Sequence, residues 1–141
     1  MIVLDTCVVS ELLRRRPDPG VRSWAAALNE PAALTSVTVW ELRCGIDRMA
    51  RGRRRTELSG AVEQVLRDAR GATLAFDEAA ARCAARMRVS RERAGRPVAT
   101  ADVQIAGICE AHGVALATRN VQDFAALGLE LIDPWAADST E

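Results

Sequence analysis

The 141-residue sequence contains no lysine, and all 19 of its basic residues are arginine. Because a P-loop needs a lysine on the nucleotide phosphates, this absence excludes a P-loop NTPase. Phosphoaspartate enzymes and receiver domains begin with a similar strand and aspartate, but they also rely on a lysine and are excluded in their standard form. A coding bias toward arginine and alanine is one explanation for the missing lysine, and the exclusions hold in either case.

Cysteine pairs, long apolar runs and excess charge are also missing. The four cysteines, Cys7, Cys44, Cys83 and Cys109, are widely spaced and form no CxxC pair, which argues against a zinc site or a secreted disulfide framework. No run approaches the ~20 apolar residues of a membrane helix, and no signal-like segment opens the chain. The formal net charge of zero excludes a uniformly basic nucleic-acid binder but not a local basic patch. We therefore expect one cytoplasmic domain covering residues 1–141.

Short apolar runs alternate with helical patterns along the chain. Strands are predicted at residues 2–5, 33–35, 73–76, 114–117 and 130–132, and helices at 8–13, 18–28, 37–49, 58–66, 77–93 and 100–110. Asp18, Asp77 and Thr100 are predicted helix caps, and residues 51–55 and 120–124 are predicted turns. This alternation predicts a three-layer α/β/α sandwich with a central, mainly parallel sheet of four to five strands.

The first strand ends abruptly at an acid. Ile2, Val3 and Leu4 form the continuous apolar run that is typical of a buried parallel strand, and Asp5 follows directly. In open α/β sheets, ligands bind in the crevice beyond the carboxyl ends of the strands. An unpaired charge is costly in such a buried place, so Asp5 is a candidate functional residue.

Two other acids resist a structural explanation. Glu41 lies among residues expected to face the core, and Asp102 lies in the first turn of an apolar helix, where the helix dipole alone would also favour an acid. Clustered acids raise each other's pKa unless a cation neutralises them. Because Asp5, Glu41 and Asp102 offer only oxygen ligands, the pattern favours Mg²⁺ or Mn²⁺ and phosphodiester chemistry.

Most of the remaining acids are expected on solvent-exposed helix faces. These are Glu57, Glu63, Asp68, Glu78, Glu92 and Glu110.

Several segments occur together in a characteristic order. They are MIVLDTCVVSEL (1–12), TVWELRCGI (38–46), GRP (95–97) with TADVQIA (100–106), ATRNVQDF (117–124) and DPW (133–135). This ordered set closely resembles the PIN-domain ribonucleases, specifically the toxins of bacterial VapBC-type and FitAB-type toxin–antitoxin pairs.

The resemblance assigns roles to particular residues. Asp5 and Asp102 match the family's metal-binding aspartates, and Glu41 matches its acidic partner on the middle helix. The fourth position, commonly acidic in the family, is Asn120, which adds no charge and leaves a second metal ion open. Asp123 either compensates for it or is an ordinary acid in a helical turn.

The resemblance also implies an activity and partners. It implies Mg²⁺-dependent endonucleolytic cleavage of RNA, with Thr6 and Thr118 donating hydrogen bonds to the carboxylates or the substrate and Arg119 meeting a phosphate. Cys7 replaces the asparagine that usually follows Asp-Thr in the family. A small cognate antitoxin is expected to wrap the protein and insert a side chain, often arginine, into the acidic site. Homodimers or larger toxin–antitoxin assemblies are also expected, with the apolar faces of the early helices as candidate surfaces.

Two groups of arginines are candidates for RNA contacts, with a solvated helix face as the alternative. They are Arg51, Arg53, Arg54 and Arg55, and Arg86, Arg88, Arg91, Arg93 and Arg96.

Two other hypotheses remain. In the first, the chain is a catalytically weak PIN domain that acts mainly as the binding subunit of an antitoxin–DNA repressor, with Asn120 as its supporting feature. In the second, it is a Rossmann-type nucleotide binder, but Asp5-Thr6-Cys7 stands where that fold has its glycine-rich turn.

Overall fold

The computed structural model describes residues 1–69 and 73–136 of the chain. Its strands are β1 (Ile2–Leu4), β2 (Ala32–Thr35), β3 (Thr73–Leu74), β4 (Ala115–Ala117) and β5 (Leu131–Ile132). Its helices are α1 (Thr6–Leu12), α2 (Pro19–Ala26), α3 (Ser36–Asp47), α4 (Arg53–Asp68), α5 (Glu78–Arg93), α6 (Thr100–His112) and α7 (Val121–Phe124).

The sheet has the order β3-β2-β1-β4-β5, and every neighbouring pair of strands is parallel. This confirms the predicted α/β/α sandwich with five strands. The chain runs outward from β1 through β2 to β3, and then returns to place β4 on the other side of β1. The strand order therefore reverses between β1 and β4, which is the topological switch point where open α/β sheets bind ligands.

The central strand divides its side chains between two buried cores. Ile2 and Leu4 pack with α1, α2 and α4, whereas Val3 packs with α5 and α6 on the opposite face. Helix α3 contributes Val37 to one core and Leu42 to the other. Because both faces of β1 are covered, its carboxyl end is held firmly in the middle of the molecule.

Helices α5 and α6 approach each other very closely at Gly107. A Cβ atom at this position would lie 2.5 Å from the carbonyl oxygen of Ala80 and 2.7 Å from the Cβ of Ala84. The small side chains on α5 and the missing side chain on α6 therefore set the distance between the helices. Because α6 carries Asp102 in its first turn, this contact also helps to place that carboxylate.

Several predicted boundaries need correction. Strand β1 ends at Leu4, and Asp5 caps α1. Of the predicted basic turn at 51–55, residues 53–55 are already helical, since arginine is a good helix former and α4 begins at Arg53. Residues 121–124 of the other predicted turn form α7.

The predicted caps are confirmed in two cases and wrong in one. The side chain of Asp18 accepts hydrogen bonds at the start of α2, and that of Asp77 does so at the start of α5. Thr100 is not a cap, because Ala99 occupies the N-cap position of α6. The hydroxyl oxygen of Thr100 instead accepts a hydrogen bond of 2.7 Å from the Arg88 guanidinium.

Arg91 is a structural residue, so its proposed contact with RNA is wrong. Its side chain is buried, and its Nε donates to the carbonyl oxygen of Arg96 at 2.8 Å. Its guanidinium also donates to the carbonyl oxygen of Ala125. Arg91 thus joins the end of α5 to the loop after α7.

No helix within residues 1–69 and 73–136 is long and apolar enough to cross a membrane.

Candidate active site

The Asp5 carboxylate is held in a single orientation at the switch point. It is 3% exposed, and its Oδ1 accepts a 2.8 Å hydrogen bond from the backbone amide of Thr6. Its Oδ2 accepts a bond of 2.7 Å from the Thr118 hydroxyl and one of 3.3 Å from the Cys7 thiol. Each carboxylate oxygen has two lone pairs, so these bonds orient Asp5 and still leave it able to bind a cation.

Thr118 connects the ends of β1 and β4. It is completely buried, donates to Asp5, and accepts a 3.0 Å hydrogen bond from the backbone amide of Asn120. The predicted donor role of Thr118 is therefore confirmed. Asn120 takes part through its backbone amide, while its exposed side chain makes no capping hydrogen bond to α7.

A chain of threonine hydroxyls leads to Glu41. The hydroxyl of Thr6 donates to Oε1 of Glu41 at 2.7 Å, as the sequence predicts, and lies 2.9 Å from the hydroxyl of Thr38. Because Thr6 uses its only hydroxyl proton on the carboxylate, Thr38 must donate to Thr6. Thr35 in turn donates to Thr38 at 3.4 Å. All the hydroxyl dipoles in this chain point toward Glu41.

Sequence reasoning missed the roles of Thr35 and Thr38, both of which are fully buried. Thr35 is the N-cap of α3, and its hydroxyl accepts a 3.1 Å hydrogen bond from the backbone amide of Thr38. The three-residue spacing of the two threonines just after a strand is the available signal, because it is the spacing between an N-cap and the amide that it caps.

Asp102 lies in an environment of like charge. Burial, together with the negative charges of Asp5, Glu41 and Asp123, raises the pKa of its half-buried carboxyl group to about 6. In the structure, the charges of three predicted site residues, Asp5, Glu41 and Asp123, are therefore close enough to act on the carboxyl group of the fourth, Asp102. A bound cation would remove the repulsion that this arrangement creates.

The donor chemistry of this cluster fits a hard divalent cation. Its carboxylates provide only oxygen atoms, which is the preference of Mg²⁺ and Mn²⁺. Cys7 does not change this assessment, because burial and the nearby charge of Asp5 raise the pKa of its thiol and keep it protonated. No three Asp, Glu, His or Cys side chains in the described parts of the chain are already gathered around one ion-sized point. A cation would therefore have to draw the carboxylates together.

Arg119 lies directly after Thr118 and is exposed. Its guanidinium carbon lies 5.1 Å from the centroid of the Trp135 ring, which is within the range of a cation–π contact. This contact holds the guanidinium against Trp135, and the predicted contact of Arg119 with a phosphate stays a prediction.

The chain belongs to the PIN-domain family, because the family's sequence model, described as "PIN domain", matches residues 2–128. It is 41% identical over 137 residues to VapC ribonuclease Y4jK of Sinorhizobium fredii, covering 96% of this chain and 98% of that protein. It is 36% identical over 137 residues to toxin FitB of Neisseria gonorrhoeae, covering 96% of this chain and 99% of FitB.

Solved structures give the same result. The chain resembles one in the crystal structure of FitAcB from Neisseria gonorrhoeae with a TM-score of 0.89 and 36% identity, covering 96% of this chain and 99% of that one. FitAB bound to an IR36 DNA fragment matches with a TM-score of 0.89 and 35% identity, covering 96% of each chain. The resemblance to VapC- and FitB-type toxins is therefore confirmed.

Proposed function

We propose that this protein is the toxin of a type II toxin–antitoxin system and a divalent-metal-dependent endoribonuclease that acts in the cytoplasm. The observation that carries the proposal is the acidic cluster at the switch point of the sheet. Thr6 is hydrogen-bonded to both Asp5 and Glu41, and the charges of these two acids raise the pKa of Asp102, a repulsion that a cation would relieve. The names of the relatives, a VapC ribonuclease and a FitB toxin, support the same activity.

Asp5, Asp102 and Glu41 would hold the ion, Mg²⁺ or Mn²⁺. When bound, it supplies Lewis acidity toward a phosphoryl oxygen and toward the attacking water. The hydrogen bonds to both carboxylate oxygens of Asp5 fix its orientation before the ion binds. Glu41 keeps one oxygen on Thr6, and its other oxygen would either bind the ion or orient the attacking water and accept its proton.

Asp123 and Asn120 divide the role of the family's fourth acid. Asp123 supplies the negative charge, because its carboxylate is close enough to raise the pKa of Asp102. Asn120 supplies an uncharged, exposed side chain at the start of α7, which suits positioning a water molecule or the RNA.

A small antitoxin is the proposed partner. The structural relatives are toxin–antitoxin complexes, FitAB among them. The acidic cluster attracts a cationic side chain by charge complementarity. Trp40 on α3 is 61% exposed, and such an aromatic side chain favours a contact with the antitoxin or with a second copy of the chain in a homodimer or larger assembly.

A catalytically weak binding subunit is the second candidate function. Two observations favour it: the carboxylates are not already gathered at ligating distances within the described residues, and Asn120 adds no charge. In this case the protein would act mainly by binding an antitoxin on DNA, as in the neighbour solved with a DNA fragment.

A cleavage assay with metal removal tests the proposal. Purified protein is incubated with a labelled single-stranded RNA in Mg²⁺, in EDTA, and in EDTA followed by excess Mn²⁺, with DNA of the same sequence as a control. We expect the protein to cleave the RNA but not the DNA. In EDTA the cleavage rate should fall by more than the roughly 10–100-fold that loss of an outer-shell partner of a metal site costs. Excess Mn²⁺ should restore the rate. Cleavage that continues in EDTA would contradict the metal mechanism, and no cleavage under any condition would favour the binding subunit.

A further inference from the structure

We infer that the RNA strand runs from the acidic site along a cleft between α1, α3 and α4, and that its phosphates bind in a basin of arginines at the far end. The basin is formed by Arg14, Arg15, Arg16 and Arg54. This inference rests on the proposed ribonuclease function and names the path of its substrate.

The cleft has a volume of about 290 Å³ and is walled by one face of each helix. Thr6 and Glu41, which belong to the acidic site, line it together with Arg14 and Arg54. Leucine, isoleucine and valine side chains line the space between them. An extended ligand in this cleft therefore meets the carboxylate site and two arginines at once.

The basin continues from the cleft. It is an open depression of about 580 Å³ whose lining residues are all arginines, and it shares Arg14 and Arg54 with the cleft. Arg14 forms an ion pair with Glu11 at 3.1 Å, and Arg15 pairs with Glu57 at 3.3 Å. The other two arginines, at positions 16 and 54, have no carboxylate partner within residues 1–69 and 73–136 and are exposed.

The first turn of α4 is electrostatically unfavourable without an anion. Arg53, Arg54 and Arg55 stand at the positive end of the helix dipole, where acids are normally found, and the turn has neither an acid nor a side-chain cap. The charge of Arg53 is balanced by an ion pair with Glu57, and that of Arg55 by an ion pair with Asp47. Arg54, in contrast, lines the basin. Side chains and helix dipole together favour a phosphate there.

A phosphodiester chain fits both ends of this path better than an acidic protein segment does. Guanidinium groups bind phosphate oxygens with paired hydrogen bonds. At the other end, a phosphodiester group can share a divalent cation with Asp5 and Glu41, whereas a peptide carboxylate there would only add to the repulsion around Asp102. Of these two ligands, a single-stranded RNA is therefore the one that fits both the basin and the acidic site.

The test is the salt dependence of RNA binding. A fluorescent single-stranded RNA is titrated with wild-type protein, with the R16Q/R54Q double variant and with the charge-matched control R67Q/R82Q, in EDTA so that binding is separated from cleavage. Arg67 is exposed at the opposite end of α4 and Arg82 is exposed on α5. In R16Q/R54Q, the magnitude of the slope of log K against log salt should fall by about 0.7 for each phosphate that an arginine no longer neutralises. For two phosphates, this corresponds to an affinity about 25-fold lower at 0.1 M salt. The control should keep the wild-type slope, and R16K/R54K should restore most of it.

The outcomes separate this inference from the proposed function. Wild-type cleavage of RNA together with an unchanged slope in R16Q/R54Q overturns the arginine basin alone. An unchanged RNA slope together with weakened binding of a labelled oligo-glutamate peptide overturns it too, because the basin would then serve an acidic protein segment. A wild-type protein that neither binds nor cleaves RNA overturns the proposed function and this inference with it. Far-UV circular dichroism of both double variants checks that the fold is intact.

Discussion

The Asp102→Asn variant is expected to lose RNA cleavage by more than about 100-fold while keeping its fold. Loss of an outer-shell partner in a metal site typically costs roughly 10–100-fold, and a direct ligand should cost more. Asparagine has the same shape as aspartate but carries no charge, so it weakens the binding of a cation without creating a cavity.

The thermal stability of the same variant should not fall with its activity and is expected to stay the same or rise. The Asp102 carboxylate is half-buried and is repelled by Asp5, Glu41 and Asp123. Removing its charge relieves that repulsion, so in metal-free buffer at neutral pH the variant should melt at the same temperature as the wild type or higher. A residue whose charge harms the fold but is needed for activity is typical of a functional site.

Cleavage rates and thermal melts of wild-type, Asp102→Asn and Asp68→Asn proteins provide the measurement. Asp68 is an exposed acid near the end of α4, and its substitution should leave the cleavage rate within about twofold, because surface changes have small effects. Substantial cleavage by a folded Asp102→Asn protein would remove Asp102 from the site.

The Gly107→Ala variant is expected to lower the free energy of unfolding by about 2–3 kcal/mol, the upper range for overpacking a core. The added methyl group would lie 2.5 Å from the backbone carbonyl oxygen of Ala80 and 2.7 Å from the Cβ of Ala84. Because a carbonyl within α5 cannot turn aside, α6 has to shift. That shift would also move Asp102 and reduce cleavage.

Gly60→Ala is the matched control. Gly60 lies inside α4, and a Cβ there would meet nothing within 4 Å. Alanine in place of a helical glycine should therefore stabilise the protein by up to about 1 kcal/mol. Urea unfolding of both variants separates a steric effect from a general cost of altering a helical glycine, and equal stability of Gly107→Ala and wild type would contradict the close approach of α5 and α6.

The parts of the fold that depend on local patterns could be predicted from the sequence. The apolar run before Asp5 identifies the central strand, and the Asp-Pro pair at Asp18 identifies the start of α2. Because the strands are parallel, their carboxyl ends share one edge of the sheet. A helix that leads into the next parallel strand begins at that same edge. The sequence alone could therefore predict that Asp5, after the first strand, and Asp102, in the first turn of the helix before β4, lie at one edge of the sheet.

Features that depend on distant contacts could not be predicted in the same way. Nothing around Arg91 indicates that its guanidinium is buried on the carbonyls of Arg96 and Ala125, since one of these partners comes from the loop after α7. The hydroxyl chain from Thr35 to Glu41 crosses from α3 to α1 and likewise requires the packed structure. The same holds for the arginine basin, which joins the end of α1 to the start of α4.

The central claim is that Asp5, Glu41 and Asp102 form one site for a hard divalent cation. Calorimetric titration of Mn²⁺ into wild-type and Asp102→Asn proteins, in the absence of RNA and antitoxin, tests it most directly. We predict saturable binding to the wild-type chain and binding weakened by at least about tenfold in the variant, as expected when a carboxylate that holds the metal is lost. Absence of Mn²⁺ and Mg²⁺ binding to the wild-type protein, or equal affinity in both proteins, would contradict the claim.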